Sequence, residues 1–190
     1  EQKAHFKRSV VQIRNNDNSC GFRSIFLGIK NLEYQTSNKT RDSFKQWQRA
    51  RKSNATQVNG ARQICDMCGI EWGLPLNRER MHLVQQNYLN PQQIQLIVID
   101  FSNLRNRFFV GPSHHQQLYL LFSEQMDDDG ETFTHYDLIT NIVGYTGARF
   151  YCVPCGVPYY IVNDHKCPYS CDRCGKNPPC RTTPVTVPCE

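Results

Sequence analysis

Nowhere in its 190 residues does the sequence carry a run of eighteen apolar residues, and its opening, EQKAHFKRSV, has none of the apolar core of a secretory signal. The first absence excludes a membrane-crossing helix, and the second gives no ground for secretion. The expected setting is therefore intracellular, cytoplasmic or nuclear, with no membrane partner. Acid is scarce early on: residues 1 to 60 hold four Asp or Glu against twelve Lys or Arg, while the remainder is slightly acidic. The formal charge of +5 is thus a local basic face, not a property of the whole chain. Much of it lies in KTRDSFKQWQRARK, residues 39 to 52, which reads first as a solvated helix face and second as a surface for nucleic acid or an acidic partner. Cysteine and proline are also sparse until residue 150, after which seven of the ten cysteines and seven of the ten prolines occur. That shift marks a loop-rich unit, and the expected organisation is one domain over 1–148 with a small cysteine-rich module over 149–190.

What is present upstream has clear periods. SVVQIR alternates like a strand, and NNDN is turn chemistry. From Cys20 the apolar residues Phe22, Ile25, Phe26 and Ile29 recur at helical spacing, so a helix is expected to begin at or just before Cys20. Further helices are expected around 42–52, 58–70 and 79–89, with Trp47 and Ile64 on buried faces. The period then changes: IQLIVID, RFFVG, QLYLLF and HYDLI are short β-rich runs separated by Gly, Pro, Ser and Asp turns. Helices first and strands later predict an α+β fold, with helices packed on a small mixed β-sheet.

A cysteine at a helix start sits where unpaired backbone N–H groups and the helix dipole favour a thiolate. In NNDNSCGFRSI, a turn built from Asp17, Asn18 and Ser19 can aim successive N–H groups at one point, and Gly21 is expected to keep the neighbouring space open. A small buried packing residue is the plainer reading of Cys20 alone. Nucleophilic catalysis also needs a base, and His135 in FTHYDLIT is the best of the six histidines. Residues two apart on a strand share a face, so Asp137 can sit beside His135 and fix its ring. His114 and His115 look like loop residues, and His5 and His82 have no acidic neighbour at useful spacing.

Residues 17 to 25, DNSCGFRSI, resemble the nucleophile motif of the ovarian-tumour (OTU) cysteine proteases. LYLLF followed, after an acidic turn, by HYDLI is similar to the strand pair that carries the OTU histidine. The resemblance implies a papain-type OTU fold with Cys20 as nucleophile, His135 as general base and Asp137 as the residue that orients it. Asp17 is the runner-up third member, and backbone N–H groups near Asp17, Asn18 and Cys20 are the implied oxyanion hole. The implied activity is hydrolysis of isopeptide or peptide bonds at the C-terminus of ubiquitin or a ubiquitin-like partner.

FYCVPCGVPYYIVNDHKCPYSCDRCGKNPPC offers paired C-x-x-C turns, which supply soft ligands at zinc-binding reach. One grouping holds two ions, the first by Cys152, Cys155, His165 and Cys167 and the second by Cys171, Cys174, Cys180 and Cys189. A single site from Cys152, Cys155, Cys171 and Cys174 is the other, and a disulfide scaffold is disfavoured by the lack of a signal peptide. Cys65 and Cys68 share the spacing but lie in an apolar helical pattern and read as packing residues. IRNNDNSCGFRSI, HYDLITNIVGYTGARFYCVPC and the DHKC to SCDRC run together resemble the region upstream of the polymerase core in protein-primed family B DNA polymerases of Maverick (Polinton) elements and related viruses. That second resemblance implies a non-catalytic zinc-containing module of a mobile-element or viral polyprotein, holding nucleic acid or protein through its zinc tail and basic face. No polymerase carboxylate motif occurs in the chain.

Overall fold

The computed structural model describes residues 8–103, 106–126 and 132–169. The chain divides into two compact units, Glu1–Tyr145 and Thr146–Glu190. Helices and a five-stranded mixed sheet occur together in the first, as the change of period implies.

Its central element is α1 (Cys20–Thr36), in which every residue from Cys20 to Ile29 is buried. A helix apolar on one stripe would lie on a surface, but this one is enclosed on several sides, which is why small residues interrupt its apolar pattern. Two further helices follow, α2 (Arg41–Lys52) and α3 (Asn54–Cys68). The latter starts earlier than its apolar pattern suggests, because the Ser53 hydroxyl caps it by accepting from Thr56 N at 3.2 Å. Gly60 lets α3 lie directly on α1: a Cβ there would meet the Phe26 ring at 2.2 Å. Trp47 and Ile64 are buried, as expected. The helix expected over 79–89 is α-helical only as α4 (Arg78–Val84), after which it widens into a π turn, Gln85–Leu89. There the buried Gln85 side chain accepts from Leu96 N and donates to Ile94 O, each at 2.8 Å, a long-range pairing that apolar spacing does not reveal.

The strands are β1 (Val10–Val11), β2 (Ile94–Asp100), β3 (Arg107–Val110), β4 (Gln116–Met126) and β5 (Thr132–Ile139), in the order β1-β5-β4-β2-β3. Only β2 and β4 run parallel, with Leu96 opposite Leu118. β5 pairs antiparallel with β4, setting His135 opposite Ser123 and Asp137 opposite Leu121. SVVQIR gives a strand of two residues only, paired with Leu138 and Ile139. Its chain leaves the sheet because Ile13 N donates to the Asp137 carboxylate at 2.8 Å instead of to a neighbouring strand. The first half of β5 therefore has no strand on its outer side among the described residues, and the start of α1 meets it there.

The second unit is a hairpin of β6 (Phe150–Cys152) and β7 (Val157–Tyr159), closed by the Cys152 to Gly156 turn. Gly156 takes the left-handed backbone that ends the turn, at φ 72°, and donates to Cys152 O at 2.8 Å. Among its described residues only Ala148 and Gly156 are buried. No helix among the described residues is long and apolar enough to cross a membrane.

Candidate active site and metal centre

The segment before Cys20 is shaped by one carboxylate. Asp17 Oδ1 accepts from Ser19 N at 2.9 Å, from the Ser19 hydroxyl and from Asn15 Nδ2 at 2.9 Å, an Asx-type turn. Asp17 Oδ2 pairs with Arg23 Nη2 at 2.8 Å. Burial pushes the Asp17 carboxyl up, but the bonds from Ser19 and Asn15 and the Arg23 charge outweigh it and bring it down to about 2. Ser19 occupies the N-cap position yet makes no side-chain cap bond, its hydroxyl being held by Asp17 and by Arg23 Nε at 2.6 Å. The leading N–H groups of α1 thus receive no bond from the residue placed to cap them.

Cys20 is 4% exposed. Its thiol donates to the Thr134 carbonyl oxygen at 3.8 Å and lies near enough to the His135 ring to help raise that ring's pKa. The ring's Nε2 meets Asp137 Oδ1 at 3.1 Å. The Asp137 bond and then the Cys20 bond raise His135, against burial, to about 10. Asp137 is fixed in turn by Ile13 N. Cys20, His135 and Asp137 therefore form one connected cluster, whereas Asp17 is engaged with Arg23, Ser19 and Asn15.

The expectation that Gly21 leaves open space is overturned. A Cβ on Gly21 would lie 2.6 Å from Leu76 Cβ, so the absent side chain admits Leu76, not a ligand. The loop carrying Leu76 is tied down where Tyr136 donates its hydroxyl to Leu76 O at 2.7 Å and Asn18 Nδ2 donates to Gly73 O at 3.3 Å. The remaining histidines have other settings: the His114 ring meets Asn90 Oδ1 at 2.9 Å, His82 packs edge-on against Phe109, His115 is exposed, and His5 lies outside the described residues. Cys65 and Cys68 are buried in the core, and burial pushes both thiols up to about 11.

In the second unit the ligand atoms of Cys152, Cys155, His165 and Cys167 all lie within 4.8 Å of one another. A tetrahedral ion bound at about 2.3 Å by sulfur has ligand edges of about 3.8 Å, so the donor set fits a metal after a small contraction. Cys155 Sγ is 3.4 Å from His165 Nε2, and the His165 ring stacks on Tyr159 with centroids 4.6 Å apart, which holds the imidazole toward the thiols. None of the three cysteines is in a disulfide. Cys171, Cys174, Cys180 and Cys189, needed for a second ion or for the alternative single site, lie outside the described residues.

No family model, curated protein or solved structure matches the chain.

The basic stretch 39–52 corresponds largely to α2, whose Arg41, Lys45, Arg49, Arg51 and Lys52 are all exposed. Lys45 is 3.9 Å from Asp42, and the Arg51 guanidinium lies over the Trp47 ring at 5.4 Å. Three contributors escape a reading of the sequence: Ile13, Leu76 and Arg23. The first two act through main-chain or space-filling contacts that no local pattern signals. Arg23 carried one signal, a cation in the first turn of a helix that has no acid there.

Proposed function

We propose that the first unit is an OTU-type cysteine hydrolase that cleaves isopeptide or peptide bonds at the C-terminus of ubiquitin or a ubiquitin-like modifier. The observation that carries this reading is the meeting of Cys20 with the His135 ring, whose Nε2 lies 3.1 Å from Asp137 Oδ1. The proton of the Cys20 thiol resides on His135, and in the first step the sulfur bonds to the substrate carbonyl carbon. The carbonyl π electrons move to oxygen, where the leading N–H groups of α1 hold the charge. Collapse of the tetrahedral species breaks the C–N bond, and the departing amine takes the proton from His135. A water molecule then gives a proton to His135 as it adds to the thioester, and the C–S bond breaks to regenerate Cys20 and release the carboxylate. Asp137 fixes the orientation of the ring toward the sulfur.

The same proposal reads the cluster of Cys152, Cys155, His165 and Cys167 as a structural zinc site, since three thiolates and an imidazole are its preferred donors. Ubiquitin bearing a C-terminal electrophile is the direct test. A covalent adduct at Cys20, absent from Cys20→Ala, is the expected result, and a folded chain that forms no adduct overturns the hydrolase reading. The exposed cations of α2 and the metal cluster favour one second reading, a non-catalytic nucleic-acid-binding module of a polymerase polyprotein. Absence of an adduct together with DNA affinity that falls steeply with salt is its signature.

A further inference from the structure

A helix start that carries a buried cation breaks an elementary rule. The positive end of the dipole favours acid in the first turn, yet the first turn of α1 has none and instead holds Arg23, which is 3% exposed. Burial of a guanidinium there is costly unless each donor is matched, and here each side of the group is. Nε donates to the Ser19 hydroxyl at 2.6 Å, Nη2 pairs with Asp17 at 2.8 Å, and Nη1 donates to Asn54 Oδ1 on the first residue of α3. Two of these partners belong to the turn that precedes Cys20.

The bond to Ser19 has a specific consequence. A serine at this position ordinarily turns its hydroxyl onto the N–H of the second or third helical residue. Ser19 instead accepts from Arg23 and donates to Asp17, and makes no cap bond. The side chain best placed to quench the helix's leading N–H groups is thereby drawn away from them. Sequence offers a ready alternative for a fold built for stability alone, a serine that caps and an acid in the first turn.

We propose that Arg23 is a positioning residue: by gripping Asp17 and the Ser19 hydroxyl it keeps the turn open, so that the leading N–H groups of α1 face the oxygen of an acyl group attacked by Cys20. This rests on the hydrolase reading above and deepens it. Asp17 then belongs to the same device as the anion that makes a buried Arg23 tolerable, not as the partner of His135. Arg23 touches neither thiol nor imidazole in any hydrogen bond, so its effect is confined to the step in which charge develops on oxygen.

That confinement supplies the test. Iodoacetamide alkylates a thiolate by displacement at carbon and builds no oxyanion, whereas hydrolysis of a fluorogenic amide at the C-terminus of ubiquitin does. In Arg23→Lys the charge remains but one ammonium cannot span Ser19, Asp17 and Asn54 together. Its kcat is expected to fall about a hundredfold, the scale of losing one oxyanion donor. KM and the rate of Cys20 alkylation are expected to stay within about threefold, with thermal unfolding recorded alongside. Where Arg23→Lys fails to fold, Asp17→Asn carries the test by removing the charge that Arg23 grips, with the same split between turnover and alkylation expected. An active wild type whose variants keep their kcat, or lose alkylation in step with kcat, overturns the inference alone. A wild type that neither hydrolyses the amide nor reacts with the electrophilic ubiquitin overturns the hydrolase reading and this inference with it.

Discussion

In Glu1–Tyr145 the three cysteines are all buried, each within a core of Phe, Ile, Leu and Val side chains drawn from α1, α3 and both arms of the sheet. In the described part of Thr146–Glu190 the three cysteines are half-buried, beside a histidine, in and just after a hairpin, and only Ala148 and Gly156 are buried. The first unit holds itself together by burying apolar area at about 25 cal/mol per Å², so no thiol is needed to hold it. Cys65 and Cys68 serve as small apolar fillers, and the proposed hydrolysis would draw on Cys20 alone. The described residues of the second unit bury little and bring four metal-binding donors together, the condition under which a bound metal can become part of a fold.

Metal removal tests the contrast most severely. Structural zinc contributes on the order of 10 to 16 kcal/mol to small domains, far more than the apolar contacts of the second unit's described residues can replace. A chelator, or Cys155→Ser, is expected to erase amide-exchange protection over β6 and β7 while protection in α1 and β4 stays intact. Equal loss in both units would abolish the distinction, and a second unit indifferent to chelation would remove the metal from its stability. Next in size is His135→Ala. Loss of a positioned proton acceptor costs about 10² to 10⁴ in rate, so labelling of Cys20 by electrophilic ubiquitin should slow by that factor. The unfolding midpoint should move far less. A variant labelled as fast as wild type would place the thiol's reactivity elsewhere than in the ring.

Much of this was readable from residue order, and the failures share a cause. The 3.6-residue period of Phe22, Ile25, Phe26 and Ile29 located α1, and the two-residue period of HYDLI put His135 and Asp137 on one face. Both are local consequences of backbone geometry. The C-x-x-C spacing likewise singled out Cys152 and Cys155. What escaped depends on contacts across long stretches of chain: Ile13 N turning to Asp137 shortened β1, Gln85 reaching β2 drew α4 into a π turn, and Leu76 filled the space beside Gly21. No short window of sequence contains both partners of the first and last of these contacts, and no apolar period signals the second.

Gly21→Ala sharpens the same contrast from within the core. The new Cβ would sit 2.6 Å from Leu76 Cβ and Cδ2, and Leu76 cannot retreat freely while Tyr136 binds its carbonyl. Overpacking of this kind costs about 1 to 3 kcal/mol, measurable by urea unfolding, and the second unit's metal affinity should be unchanged. A neutral outcome would mean that the loop holding Leu76 yields more readily than its hydrogen bonds imply.

The last expected effect is in how stability depends on pH. His135 stands near 10 in the folded chain against an ordinary 6.5, so the folded state binds the ring's proton more tightly than the unfolded state does. The sign follows: the contribution is complete below about pH 6.5 and is lost progressively as pH rises through 10. Asp137→Asn removes the negative charge from the strongest cause of the upward shift, the Oδ1 that meets Nε2 at 3.1 Å, while an amide oxygen in its place can still accept from Ile13 N. Urea unfolding between pH 6.5 and 10 should therefore give a flatter profile for the variant than for wild type, with the two stabilities drawing together toward pH 10. Parallel profiles would show that the ring's proton is not held by Asp137. The Cys20–His135 contact would then have to be explained by packing of α1 against the open edge of β5, as the other buried cysteines of this unit are.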